Sequence, residues 1–346
     1  MSCLGGYDTP GHLDWPPALR RRRVATAGGA QAPSAKWAIR RTPEATNVRR
    51  MESRRIRCIG LVVHPRREIG DALDALTAWC AAHGAELVQV PAQGQERAVA
   101  EPGDPASCDL IVALGGDGTT LAAVRTGAEA GRPVLGAACG SLGALTTVPA
   151  EDLAMALDRV EAGDWLPRKL PTLIVRHEDA KRTAVNDLVV VRQGAGQVSV
   201  SVRIDDELFT RFAGDGFVIG TPLGSSAYTL AAGGPLLAPR TLGMVFTPLA
   251  PHGGFIPPLV TAPDGRLDVE IDPGHGGARL ELDGQIGDLL EPLALSALSV
   301  TLAPGHGTLV SLGDDEPMIA GLRRRRIIID SPRILARDDR EAAEPV

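Results

Sequence analysis

The order of apolar and polar positions divides the chain into two textures. In the first, continuous apolar runs alternate with amphipathic stretches. "RCIGLVVHP" is apolar through its middle and closed by Pro65, the pattern of a strand buried on both faces, with its clean part from Cys58 to Val63. From Gly70 to His83 the apolar positions Leu73, Leu76, Trp79 and Cys80 recur at helical spacing. "AELVQVP" predicts a second strand and Leu110 to Leu114 a third. A helix over Thr119 to Ala130, a strand over Val134 to Ala137 and a helix over Glu151 to Ala162 follow. Such alternation implies a parallel sheet with helices on its faces. Beyond Pro167 the runs shorten to "LIVRHE", "AVNDLVVVRQ", "VSVSVRIDDELF" and "DGFVIGT", separated by glycine-rich turns, which is the texture of antiparallel sheet.

The expected fold is therefore an α/β N-terminal domain with a parallel sheet and a β-rich C-terminal domain. The boundary falls between residues 146 and 168. In segments, we expect a disordered basic extension over 1–52, the α/β domain over 53–150, the β-rich domain over 151–320, and a partly disordered tail over 321–346. Pro-Gly-His-Gly occurs at 273–276 and again at 304–307, read in both places as turn chemistry.

Composition narrows the function classes. The chain has 346 residues, 44% hydrophobic and 23% charged, a length that favours two domains. No apolar run approaches the ~20 residues needed to cross a bilayer, so no membrane partner is expected. Five widely spaced cysteines (Cys3, Cys58, Cys80, Cys108, Cys139) form neither a disulfide framework nor a zinc pattern, and fit a reducing cytoplasm. The net charge of −6 divides into +6 over residues 1–50 and −12 beyond them. An acidic body argues against nucleic acid. The basic head, rich in Gly, Pro, Ala and Arg without periodicity, reads as disordered. Arg20 to Arg23 are followed by no apolar run, so no signal peptide is expected. Met51 is a candidate natural start.

"LIVALGGDGTT", Leu110 to Thr120, leaves a buried strand through a glycine turn and enters a helix. Glycines let backbone N–H groups approach an anion, and the helix adds the positive end of its dipole. Thr119 and Thr120 are expected to cap that helix. These features indicate a phosphate site. The carboxylate of Asp117 repels phosphate, so it belongs there only if it serves a metal or takes a proton during phosphoryl transfer; a tight turn that tolerates aspartate is the alternative. This region has no Walker A lysine and no G-x-G-x-x-G.

"GGDGTTLAAVR" resembles the signature of the NAD kinase family, within the clan that also holds diacylglycerol and sphingosine kinases and phosphofructokinases. "AVNDLVV" (184–190), "DGFVIGTPLGSSAYTLAAGGPLLAP" (215–239) and "LDGQ" (282–285) resemble three further motifs of the family in family order, and the resemblance covers about residues 55–290. It implies ATP-dependent phosphorylation of NAD at the 2′-hydroxyl of the adenosine ribose, giving NADP. Asp117 would orient that hydroxyl or take its proton. Gly115, Gly116, Gly118 and Thr119 would lie against phosphates. Asn186 and Asp187 would contact the nicotinamide end. Asp215 and the stretch Ser226, Ala227, Tyr228, Thr229, Leu230 and Ala231 would line the substrate groove, closed by Gln285. His252, in "PLAPHGGF", is expected to make an internal hydrogen bond. A divalent cation, magnesium by expectation, would bridge the donor phosphates without direct protein ligands. NAD and ATP (or polyphosphate) are the implied partners, and a homodimer or homotetramer the implied assembly.

The chain departs from the family pattern at several places. Ala138 and Ala144 stand for Asn and Phe, Asp187 for Glu, Leu223 and Ser226 for threonines, and Pro257 for Arg. Two other readings stay open: a lipid kinase of the clan, and a non-catalytic NAD(P)-binding paralogue.

Overall fold

Strand β1 (Cys58–Val63) is buried along its whole length, as its unbroken apolar run requires. With β2 (Glu86–Gln89), β3 (Leu110–Gly115) and β4 (Val134–Ala138) it forms a parallel block in the order β2-β1-β3-β4. Successive side chains on these strands point to opposite faces. Leu61 and Val63 meet α1 (Gly70–His83) and α3 (Leu153–Glu161) through Leu76, Trp79, Leu153 and Leu157. Val62, Ile111 and Ala113 meet α2 (Asp117–Ala130) through Leu121, Ala123 and Val124 on the other face. Helix α1 follows β1 and α2 follows β3, so the winding reverses between these two neighbouring strands. Such a reversal opens a crevice beyond their C-terminal ends, the place where open α/β sheets bind ligands.

This computed structural model describes residues 51–95, 97–238, 240–286, 295–313 and 317–343. The basic segment 1–50, with its expected disorder, lies outside the described residues.

The remaining strands are β5 (Val148–Pro149), β6 (Leu166–His177), β7 (Ala180–Ala184), β8 (Asp187–Arg192), β9 (Val198–Ile204), β10 (Glu207–Gly214), β11 (Gly216–Gly220), β12 (Val245–Leu249), β13 (Leu259–Val260), β14 (Arg266–Asp272), β15 (Ala278–Leu282), β16 (Gln285–Ile286) and β17 (Ala297–Ser311). Three helices complete the set: α4 (Tyr228–Ala231), α5 (Met318–Arg324) and α6 (Pro332–Ala343). Strands β13-β12-β11-β8-β15-β16 make an antiparallel sheet. It packs against β9, β14 and β17 through alternating apolar positions, Leu188, Val190, Phe217, Ile219 and Phe246 facing Val200, Val202, Leu267, Val269 and Val300.

The two textures share one sheet. Strand β17 is 15 residues long. Its first half runs antiparallel to β14, and Leu309 near its end pairs in parallel with Val134 of β4. The parallel block thus continues directly into the antiparallel strands. The second Pro-Gly-His-Gly, expected as a turn, lies inside β17, where the pairing with β6 shifts register between Ala303 and Gly307. The first, after β14, is a turn with Gly274 at φ 63°. The same four residues interrupt the ladder with β6 inside β17 and reverse the chain after β14. No described helix is long and apolar enough to cross a membrane.

Candidate active site

The glycine turn stands at the crevice. Gly115 ends β3, Gly116 precedes the helix, and Asp117 is the first residue of α2. Its carboxylate is held from across the sheet: Oδ2 accepts from Ala144 N at 2.9 Å and Oδ1 from Leu145 N at 2.8 Å. Gly143 sits so close that any Cβ there would collide with the carboxylate. The Asp117 side chain is therefore fixed before any ligand arrives. Gly118 is exposed and nothing stands within 4 Å of where its Cβ would be, so the first turn of α2 is open to a ligand.

The expected caps are corrected. Because α2 starts at Asp117, two residues before the predicted start, Thr119 and Thr120 lie inside the helix. Thr120 Oγ1 donates back to Gly116 O at 3.1 Å, the usual behaviour of a threonine within a helix. Thr119 is 2% exposed, and its Oγ1, packed beneath Gly115, has no protein partner. Of the four residues expected against phosphate, Gly115, Gly116 and Gly118 form the turn, while the Thr119 side chain lies under it.

A second carboxylate organises the facing wall. Asp283, at φ 55°, accepts from Val185 N at 2.9 Å and Asn186 N at 2.6 Å, with Asp187 N at 3.4 Å. Its side chain is 3% exposed, and Arg125 Nη1 of α2 lies 3.9 Å away, also donating to Leu282 O. Burial pushes the Asp283 carboxyl up, while the three amides and Arg125 pull it down. Asp187 is 5% exposed, and its carboxyl is pushed up to about 7, first by burial and next by Asp283, against the N–H of Tyr228. Asp187 is thus turned into the protein and braces Tyr228. The contact with the nicotinamide end expected of Asp187 would thus start from a buried carboxyl that already has the Tyr228 N–H as a partner.

Thr221 joins this wall to the glycine-rich stretch: its N–H donates to Asn186 O at 2.8 Å and its Oγ1 to Val185 O at 2.7 Å. A Cβ on Gly224 would overlap Asn186 O. Asn186 itself is half-buried. Within 226–231, Ala227, Tyr228 and Ala231 are exposed, Ser226 donates to Leu223 O, and Thr229 is buried with an unpartnered Oγ1.

A cavity of about 300 Å³ lies between the two walls, lined by His64, Gly118, Leu121, Arg125, Asp283 and Gln285 among others. His64 Nδ1 accepts from Arg66 N and Arg67 N, and burial, then the two arginines, hold its pKa below the ordinary imidazole value. It therefore stays neutral. A larger cavity of about 950 Å³ lies beyond Arg125 and lacks the glycine turn. The smaller one reaches the first turn of α2 at Gly118.

Asp215 is not brought to this site within the chain. Its carboxylate is 2.5 Å from Arg192 Nε, and in the β8–β11 ladder Gly216 pairs with Val191 while Gly220 pairs with Asp187. Asp215 and Asp187 stand at opposite ends of that ladder. His252 Nδ1 meets Gln197 Oε1 at 3.0 Å, an internal bond as expected. Reasoning from sequence missed His64, Arg125 and Asp283. The last two lie inside the quoted stretches "GGDGTTLAAVR" and "LDGQ", which was the available signal.

Two family models match this chain, the ATP-NAD kinase N-terminal domain over residues 37–165 and the ATP-NAD kinase C-terminal domain over 185–309. NAD kinase 1 of Streptomyces avermitilis is 32% identical over 80% of this chain and 89% of the relative. The NAD kinase of Chlorobaculum tepidum is 31% identical over 68% and 84%. Among solved structures, yeast NADH kinase complexed with NADH shares the fold with a TM-score of 0.63 at 20% identity, over 80% of this chain and 89% of that one. An NAD kinase from Archaeoglobus fulgidus in complex with ATP shares it with a TM-score of 0.58 at 20% identity, over 77% and 98%.

Proposed function

The chain belongs to the NAD kinase family, and on that premise we propose that it transfers the terminal phosphoryl group of ATP to the 2′-hydroxyl of the adenosine ribose of NAD, giving NADP. The observation that carries the proposal is the carboxylate of Asp117, fixed by two backbone amides at the open end of α2. Asp117 takes the hydroxyl proton while the ribose oxygen bonds to the γ-phosphorus. The bond from that phosphorus to the β–γ bridging oxygen breaks, and ADP leaves with the electron pair. The first-turn N–H groups of α2 and the backbone at Gly115, Gly116 and Gly118 cradle the donor phosphates. Asn186 and the exposed face of Ala227, Tyr228 and Ala231 receive NAD, and Gln285 closes the cavity.

The family needs a divalent cation, which we assign as magnesium. Among the described residues no group of three or more His, Cys, Asp or Glu could hold one. Each Asp117 oxygen accepts one amide and keeps a further acceptor site, which fits a water of a hydrated cation and not a protein cage. When bound to the donor phosphates the cation neutralises their developing charge. Assembly of two or four copies through the β-rich half belongs to the proposal, and Asp215 would touch nucleotide only across such an assembly.

The two amides on Asp117 also favour a second reading, in which the residue only pins the 143–146 loop and the chain binds NAD without phosphorylating it. A coupled assay for NADP formation, run with ATP and with polyphosphate, separates the two. NADP from ATP supports transfer; NAD binding without turnover under either donor supports the second reading.

A further inference from the structure

The crevice at the reversal point has two lips. One is the glycine turn after β3. The other is the segment "HPRRE" after β1, which carries Arg66 and Arg67. The Arg67 side chain is exposed and reaches across: its Nη1 donates to Cys139 O at 3.0 Å, in the loop after β4. That nitrogen lies 3.6 Å from where a Cβ on Gly116 would stand and 2.9 Å from one on Gly140. The guanidinium thus lies over the glycine turn. Its backbone is fixed on both sides. Arg67 N donates to His64 Nδ1 at 2.9 Å, and Arg97 Nη1 donates to Arg67 O at 2.8 Å.

The charge balance calls for such a group. The chain beyond residue 50 carries a net −12, and the turn itself holds the Asp117 carboxylate. That carboxylate works against the helix dipole where phosphates must sit. Arg125, the buried arginine of the same cavity, is paired with Asp283 on the facing wall. Arg67 presents a planar fork of five N–H donors, of which the bond to Cys139 uses one.

We propose that Arg67 is a binding residue for the phosphate chain of the donor, clamping it from the lip opposite the Gly115–Gly118 turn, with Arg97 and His64 as the positioning residues that hold the arginine there. The inference rests on the kinase reading above, and adds the residue that supplies the positive charge.

The test uses the full chain and its Arg67→Ala and Arg67→Lys variants. Calorimetry with ATP alone and with inorganic triphosphate alone reads binding without turnover, and steady-state assays read the KM for ATP and for NAD. For Arg67→Ala we expect both triphosphates to bind about tenfold to a hundredfold more weakly, the range of a charge-assisted contact. The KM for ATP should rise in step, while the KM for NAD stays within about twofold. Arg67→Lys keeps the charge but not the fork, and should fall in between. Unchanged ATP and triphosphate binding in Arg67→Ala overturns the proposal, as does an equal weakening of NAD and ATP, which would mark a disturbed rim. Weakening for ATP but not for triphosphate also overturns it, since the contact would then be to the nucleoside. If the native chain makes no NADP yet Arg67→Ala loses triphosphate binding, the kinase reading fails and the clamp stands. If the native chain turns over and Arg67→Ala binds ATP normally, the clamp alone fails.

Discussion

Asp117 and Asp283 stand near the two ends of one stretch of helix α2, and each holds a loop by accepting backbone amides. Asp117 takes two, from Ala144 and Leu145, and Asp283 takes three, from Val185, Asn186 and Asp187. Their surroundings differ. Asp117 is half-buried at the open first turn of α2, beside Gly118. Asp283 is shut in, its side chain 3% exposed and neighboured by Arg125. Helix α2 joins them, since it carries Asp117 at its start and Arg125 eight residues on, about 12 Å along its axis. A carboxylate that pins a loop in the interior needs a countercharge. The same device at an open edge keeps acceptor capacity for a substrate hydroxyl. The two walls are therefore built alike, and on the proposed reading they serve different ends, structure on one side and chemistry on the other.

The sharpest way to break this contrast is Asp117→Asn. General-base assistance is worth about 10²–10⁴ in rate, so turnover should fall by that order in a steady-state NADP assay. The geometry adds a second effect. An asparagine offers one carbonyl oxygen to two amides, and its NH₂ would face the other N–H, donor against donor. The thermal midpoint should drop as well. Normal turnover would place Asp117 with Asp283 as a loop pin and nothing more.

Arg125→Met addresses the other wall. Removing one partner of a buried ion pair costs about 3–5 kcal/mol, because it leaves an uncompensated charge in the interior. Urea unfolding should show a loss of that order, with Asn186 and Asp187 less firmly held. A stability equal to that of the native chain would mean that the three amides alone carry Asp283, and that the contrast in countercharge is false.

The strands of the parallel block were legible because continuous apolar runs of five or six residues have few other uses. The glycine turn was legible because its residues are adjacent in sequence. The pairing of Arg125 with Asp283 was not, since 158 positions separate them and they meet only when α2 packs beside the turn that follows β15. Strand β17 was obscured by Pro-Gly-His-Gly, which signals a turn but here only shifts the register of a strand that pairs with β6 on either side of it. The inward position of Asp187 was hidden too, because a strand's alternation says which side faces the core only once its partners are known.

Asp187 gives the comparison a pH axis. Its folded pKa of about 7 lies above the ordinary carboxylate value. The folded chain therefore keeps a proton that the unfolded chain has lost. Its contribution to stability is fully present below about pH 4 and disappears as pH rises through about 7. Over two pH units inside that window the change is up to roughly 2–3 kcal/mol. Asp187→Asn removes the proton uptake and should flatten the dependence, so that urea midpoints of variant and native chain diverge between pH 5 and pH 7.5, the variant gaining at the higher pH. Parallel midpoints would show that the carboxyl ionises freely and that this wall is wetter than its burial implies.

Tyr228 separates side chain from backbone on the same wall. Its N–H faces the buried Asp187, while the residue as a whole is 42% exposed. The two parts therefore report on different things. Replacing the side chain leaves the N–H in place, so Tyr228→Ala should change stability by no more than about 0.5 kcal/mol, the range of ordinary surface substitutions. What it removes is a flat apolar face that the proposal places beside the nucleotide. Stacking of a base or a nicotinamide on an aromatic ring is worth about 1 kcal/mol at the low end, which is appropriate for a ring this exposed, and corresponds to about fivefold in affinity. The KM for NAD should rise by about that factor with turnover unchanged, and Tyr228→Phe, which keeps the face and loses the hydroxyl, should match the native chain. An equal loss in the Phe variant would shift the contact from ring to hydroxyl. A loss of stability in the Ala variant would mean that the ring, and not the amide, is what Asp187 braces.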